Sequence, residues 1–161
     1  MIAQPNPRFA FAHPAHFIAL GFGTGLAPFA PGTVGTVLAF PIYVLLDGWL
    51  EPLPLFGVIA VFFAIGVWAC GRTGRDLGVA DHSAMNWDEV VAMMLVLLVA
   101  PTGWQWWVLA FFAFRFFDVI KPPPVRDVDR ALKGGLGVML DDILAAFYTL
   151  LLIAIVKRVF F

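Results

Sequence analysis

Long apolar stretches alternate with short charged clusters along this chain. Residues 9–46, 52–71, 90–114 and 143–156 carry no Asp, Glu, Lys or Arg. Within them, 34–50 (VGTVLAFPIYVLLDGWL) and 53–70 (LPLFGVIAVFFAIGVWAC) are each about long enough to cross a ~30 Å hydrocarbon layer at ~1.5 Å per residue. They predict a transmembrane hairpin. Its turn, Asp47 to Pro54, holds Asp47 and Glu51 but no Lys or Arg, so the positive-inside rule assigns it to the outer face. Arg72 and Arg75 then fall on the cytoplasmic side.

The run 90–114 has 25 residues and is interrupted by Pro101-Thr102-Gly103, strong turn punctuation. A single span would carry Arg115, Lys121, Arg126, Arg130 and Lys133 to the face opposite Arg72 and Arg75. Folding at Pro101 into two arms, 90–100 and 104–114, keeps all these bases together and is the preferred reading. Arms so short draw Asp88, Glu89 and Arg115 toward the headgroup layer. Lys121-Pro122-Pro123-Pro124 must end the preceding helix. Val125 to Lys133 predicts a short surface helix stopped by Gly134-Gly135. A last span runs from near Asp141 to about Val156, with Lys157 and Arg158 beyond it.

Composition agrees with this pattern. Hydrophobic residues make up 61% of the 161 residues and charged ones 13%, against roughly 45–50% and 25% in soluble domains. The expected fold is an all-α, polytopic membrane bundle of about five transmembrane helices, one domain over 1–161, with a Gly-rich irregular N-terminal segment. The net charge of −1 offers no basic surface for nucleic acid. The single Cys70, inside an apolar run, suggests an inert thiol rather than redox chemistry. The apolar stretch after Arg8 is broken by Gly21, Gly23 and Gly25, and no removable signal peptide is read there.

Three blocks could carry chemistry. Residues 21–36 (GFGTGLAPFAPGTVGT) hold five glycines before Thr36 and two prolines, too many for a good helix. An irregular backbone is costly in lipid unless it lines a polar cavity. Its N–H groups could cradle a phosphate, or its small residues could serve close helix packing. Residues 81–89 (DHSAMNWDE) place Asp81 as an N-cap candidate for a helix beginning near His82, with Asp88 and Glu89 in its second turn. For His82 a solvated turn is the preferred reading. Adjacent acids against a membrane helix, by contrast, call for a partner. In residues 114–142, Asp118 and Lys121 share a helical face, and Asp141-Asp142 open the last span, where capping of the helix dipole is an alternative role. Arg126, Arg130 and Lys133 could equally snorkel or contact anionic lipid.

With both hairpins drawn, nine of the eleven acids and eight of the ten bases share the cytoplasmic face. Oxygen-rich sites without paired His or Cys suit Mg²⁺, Mn²⁺ or Ca²⁺ beside a substrate phosphate. Lys121 or an Arg could supply a counter-charge.

Taken together, the three blocks resemble the phosphatidylglycerophosphatase A family of bacterial phospholipid synthesis. The resemblance rests on Ala30-Pro31-Gly32-Thr33, on Asp81 followed by Asp88-Glu89, on Phe117-Asp118 with Lys121-Pro122 and Pro124, and on Gly134-Gly135, Gly137 and Asp141-Asp142. It spans about residues 21 to 147. It implies Mg²⁺-dependent hydrolysis of phosphatidylglycerophosphate to phosphatidylglycerol and phosphate, on the cytoplasmic side of the bacterial inner membrane. Under it, Asp88, Glu89, Asp118, Asp141 and Asp142 would form the metal shell, with Asp81 as general base or further ligand. Lys121, Arg126 and the Gly32-Thr33 backbone would hold the phosphate. A carboxylate nucleophile, a divalent-cation channel and a structural membrane subunit remain as alternatives.

Overall fold

The computed structural model describes residues 5–160, the side chains of 128–130 excepted. Among these residues the chain is helical, without strands. Two short helices lead: α1 (Pro7–Ala12) and α2 (Pro14–Ala19). Each starts with a proline, whose missing N–H costs nothing there, preceded by a side-chain cap. Asn6 accepts from the Phe9 N–H, and His13 Nδ1 from the Ala15 N–H, both at 3.0 Å. A kinked 3₁₀ segment, Gly21–Leu26, follows.

Five long helices form the body: α3 (Pro31–Asp47), α4 (Pro52–Leu77), α5 (Trp87–Val99), α6 (Trp104–Ile120) and, after the short α7 (Val125–Ala131), α8 (Gly135–Phe160). The contacts between them fix their directions. Glu89, at the start of α5, meets Arg115 near the end of α6 at 3.5 Å. The 90–114 segment is therefore a hairpin turning at Pro101–Gly103, as the punctuation predicts. Lys121, just past α6, pairs with Asp141 two turns into α8 at 2.5 Å. Gly32, in the first turn of α3, lies against Glu89 and Arg115. Hence α3, α5 and α8 start at one end of the bundle and α6 finishes there. So does α4, whose Gly71 lies against Gly135.

The core is apolar and dense, with Phe114, Leu55, Met93, Met94, Met139, Val90, Val91 and Val96 fully buried. Met139 fills the space over Gly66, where α4, α5 and α8 meet beside Trp87. The Trp87 indole N–H is satisfied by the Phe62 carbonyl at 3.1 Å. α8 approaches α4 so closely that a side chain at Gly135 would collide with the Val67 carbonyl.

Several boundaries differ from expectation. Among the described residues two helices, α4 and α8, 26 residues each, are long and apolar enough to cross a membrane, rather than about five. The others are shorter: 17 residues in α3 and α6, and 13 in α5, about 20 Å of rise. α5 is clipped at both ends, by Asn86, whose side chain is engaged elsewhere, and by Ala100-Pro101. The Gly-rich block is only partly irregular, since Pro31 serves as the first residue of α3 and Pro31–Thr36 is helical. α5 begins at Trp87 rather than near His82, so Asp88 and Glu89 stand in its first turn and Asp81 lies outside it. α8 begins at Gly135, so Asp141 and Asp142 sit two turns inside and cannot act as its caps.

Candidate active site

The starts of α3 and α5, the second turn of α8 and the end of α6 surround a cavity of about 340 Å³ at the charged end of the bundle. Ala30, Pro31 and Gly32 line it from α3, and Asp88 and Glu89 from α5. Arg115, Asp118, Val119 and Lys121 come from the end of α6, and Asp141 and Asp142 from α8. Asp81, Ser83 and Met85 close it from the segment before α5. Three chain regions, 81–89, 118 and 141–142, thus place six carboxylates around one space, with the start of α3 as its fourth wall.

The acids do not share one environment. Asp118 is held by Arg115 at 2.5 Å within α6, and the same guanidinium reaches Glu89 at 3.5 Å. Asp141 pairs with Lys121, a non-glycine residue held in the left-handed region at φ 48° as it leaves α6 ahead of Pro122. Asp88, Glu89 and Asp142 differ: their ligand-capable atoms lie within 4.8 Å of one another, with Asp88 and Asp142 buried. Asp88 Oδ1, Glu89 Oε2 and Asp142 Oδ2 are buried and accept no hydrogen bond. Buried carboxylate oxygens without donors are expensive, and three acids in contact repel one another. An all-oxygen cluster with orphaned acceptors suits a hard divalent cation, so the donor set fits the expected metal type.

Glycine at position 32 has a steric reason. A Cβ there would collide with Glu89 Oε1 and lie 3.2 Å from Arg115 Nη1. This residue clears space for a carboxylate, a different role from the phosphate cradle expected of its backbone.

Of the sequence-derived site residues, the cavity gathers Asp81, Asp88, Glu89, Asp118, Lys121, Asp141, Asp142 and Gly32. Two stay outside its lining. Thr33 stands on the next position of α3, half-buried, and Arg126 is exposed on α7. His82 sits in a turn, but buried rather than solvated as expected: the chain folds over it, and its Nδ1 accepts from the Ala84 N–H at 3.1 Å.

Two residues went unassigned in the sequence. Arg115 bridges two of the acids, and its signal was a cation three residues before Asp118 at the edge of an apolar run. Asn86 is fully buried. Its amide donates to Thr24 Oγ1 at 3.0 Å and to the Pro31 carbonyl at 2.9 Å, while its backbone N–H donates to the Ala19 carbonyl at 2.9 Å. It hangs the Gly-rich segment on the start of α5. Nothing local in the sequence announces this.

Comparison with known proteins points to one family. A family model described as Phosphatidylglycerophosphatase A matches residues 17–157. Phosphatidylglycerophosphatase A of Escherichia coli is 41% identical over 140 residues, covering 86% of this chain and 80% of that protein. The Haemophilus influenzae protein of the same name is 39% identical over 151 residues, covering 93% of each. A Bacteroides thetaiotaomicron protein, provisionally named a phosphatidylinositol-3-phosphatase, is 40% identical over 149 residues, covering 88% of this chain and 92% of its own. No solved structure matches.

Proposed function

The chain belongs to the phosphatidylglycerophosphatase A family, and on that premise we propose that its acidic cavity is where the terminal phosphate of phosphatidylglycerophosphate is hydrolysed with the help of Mg²⁺. The protein is a phosphatase, a phosphoric monoester hydrolase, releasing phosphatidylglycerol and phosphate. One observation carries the placement of the metal: Asp88, Glu89 and Asp142 meet within 4.8 Å with buried, donor-free oxygens.

In this reading Asp88, Glu89 and Asp142 hold the cation, and Asp118 and Asp141 complete its surroundings from α6 and α8. Bound there, magnesium supplies positive charge for the phosphoryl oxygens and makes water a better nucleophile at neutral pH. Arg115 keeps Asp118 and Glu89 in place. Lys121 holds Asp141 and offers its ammonium to the phosphate that enters beside it. Asp81, on the exposed side of the cavity, takes the proton of the attacking water or adds a further ligand. Measuring phosphate release from phosphatidylglycerophosphate with Mg²⁺ and then with EDTA tests the metal: release is expected to need Mg²⁺, and release that persists in EDTA overturns its role.

The same reading puts the chain as one domain in the bacterial cytoplasmic membrane, with all five long helices threaded and the cavity on the cytoplasmic side. Its support is the charge distribution: outside residues 72–142 the sequence carries only Arg8, Asp47, Glu51, Lys157 and Arg158. The short helices α3, α5 and α6 would reach lipid depth by drawing their charged ends to the headgroups. Cysteine placed at Gly103 should label from the outer side, and labelling from the cytoplasm would overturn the threading.

A further inference from the structure

Resting on the reading of the acidic cavity as a lipid-phosphatase centre, we propose that the crevice between α3 and α6 seats one acyl chain of the phospholipid substrate. At the cavity Gly32 of α3 faces the Arg115 guanidinium of α6. Further along the same two helices lies an apolar recess of about 340 Å³. Its lining is Val37 and Phe40 from α3 with Trp104, Trp107, Val108, Phe111 and Phe112 from α6.

The recess follows the cavity along the same two helices, beginning within one to two turns of Gly32 and Arg115, though the two share no lining residue. On α6, Phe112, Phe111, Val108 and Trp104 stand three, four, seven and eleven residues before Arg115, on one helical stripe headed by that guanidinium. On α3, Val37 and Phe40 stand four and seven residues after Thr33, so the threonine that misses the carboxylate cavity heads this stripe instead. The floor is built and rigid: Phe40 packs on Trp107 at 5.8 Å and on Phe111 at 6.3 Å, and Tyr43 meets Trp107 edge-on at 6.3 Å. The walls are open, since Val37, Val108 and Phe112 are half or more exposed or nearly so, at 53%, 46% and 66%. From Arg115 to Trp104 the stripe rises about 16 Å, roughly half of the ~30 Å hydrocarbon layer. That is the depth of one leaflet, which is how far a chain descends when its headgroup is held at the cavity.

The other large apolar recess, about 540 Å³, is lined by α4, α5 and α8. It uses no residue of α3 or α6; on α5 its Val91, Leu95 and Val99 continue the face of Asp88, so what sets it apart is that no cationic side chain such as Arg115 heads it and that its face of α8 leads elsewhere. On α8 its stripe of Leu140, Ile143, Phe147 and Leu150 faces away from Asp141 and Asp142.

The test compares kcat/KM for phosphatidylglycerophosphate carrying palmitoyl chains with that for its deacylated headgroup, in detergent with Mg²⁺. Val37→Phe and Val108→Phe, which narrow the crevice, should lower the diacyl-to-deacylated ratio at least ~10-fold, whereas Ala60→Phe in the other recess should leave it as in the native protein. An unchanged ratio in the crevice variants, or an equal fall in Ala60→Phe, overturns the proposal. A second arm needs no turnover. In EDTA, substrate with brominated chains should quench tryptophan fluorescence saturably, and Trp104→Phe with Trp107→Phe should abolish that quenching. Quenching that persists in this double variant overturns the crevice, while quenching intact beside absent Mg²⁺-dependent hydrolysis overturns the acidic-site reading alone.

Discussion

Two polar clusters at the same end of the bundle have opposite accounts of their charges. In one, Asp76 at the end of α4 accepts from Arg72 Nε and faces His16 Nε2, both at 2.8 Å, and a third of its side chain is exposed. His16 Nδ1 faces the Phe9 carbonyl at 3.0 Å, and its ring stacks on Phe9 at 4.0 Å. One oxygen of Asp76 takes both partners, and the result ties α1 and α2 to α4. In the other, Asp88, Glu89 and Asp142 are brought together with oxygens that nothing in the chain satisfies. A protein that pairs an aspartate on one helix yet leaves three acids under-paired at the same end gives the proposed reading its contrast: the first cluster as a fastening, the second as a site.

Removing acids from each cluster should split stability from activity. Asp142→Asn or Glu89→Gln is expected to lower phosphate release by about 10³-fold or more, with Tm in detergent unchanged or raised, because a repelling buried acid is relieved. A Tm that falls while turnover survives would make the cluster a fastening too. Gly32→Ala should follow, at roughly 10²-fold in turnover, since the new methyl displaces Glu89 from its place. Asn86→Ala should destabilise by about 1–3 kcal/mol by leaving the Pro31 carbonyl and Thr24 without their donor, read as a lower Tm with a smaller loss of turnover. Mg²⁺ at ~100 times its Kd should add about 2.7 kcal/mol to the native protein, seen as a higher Tm, and much less to Asp142→Asn. The smallest effect belongs to Asp76→Asn: a slight fall in Tm with turnover kept within about twofold. A large loss of turnover there would erase the contrast.

How much of this could be read from the chain follows from the range of the forces involved. The clustering of acids at one end was legible because charges avoid hydrocarbon and the apolar runs have countable lengths. The hairpin at Pro101 was legible because proline and glycine act on their own neighbours. The start of α5 was not. Asn86 is pulled out of the helix by Thr24, Pro31 and Ala19, residues more than fifty positions away. The start of α8 failed for a related reason. Gly134-Gly135 reads locally as a stop, and Gly134 does turn the chain at φ 84°, but Gly135 is already helical and pressed against Val67. Thr33 and Arg126, expected beside the phosphate, fall outside the cavity lining because the helical turn rotates Thr33 away from Gly32 and the proline run carries Arg126 onto α7.

The contact between Gly32 and Glu89 bears on any attempt to transplant this chemistry. An inventory of side-chain functional groups would pass over position 32, which contributes no side-chain atom that could bind, donate or accept. Grafting the carboxylates onto another helical scaffold would still fail unless the facing helix began with a residue that stops at Cα. What must be copied there is a shape, and a mutational scan should find its strictest demand at a position with no chemistry of its own.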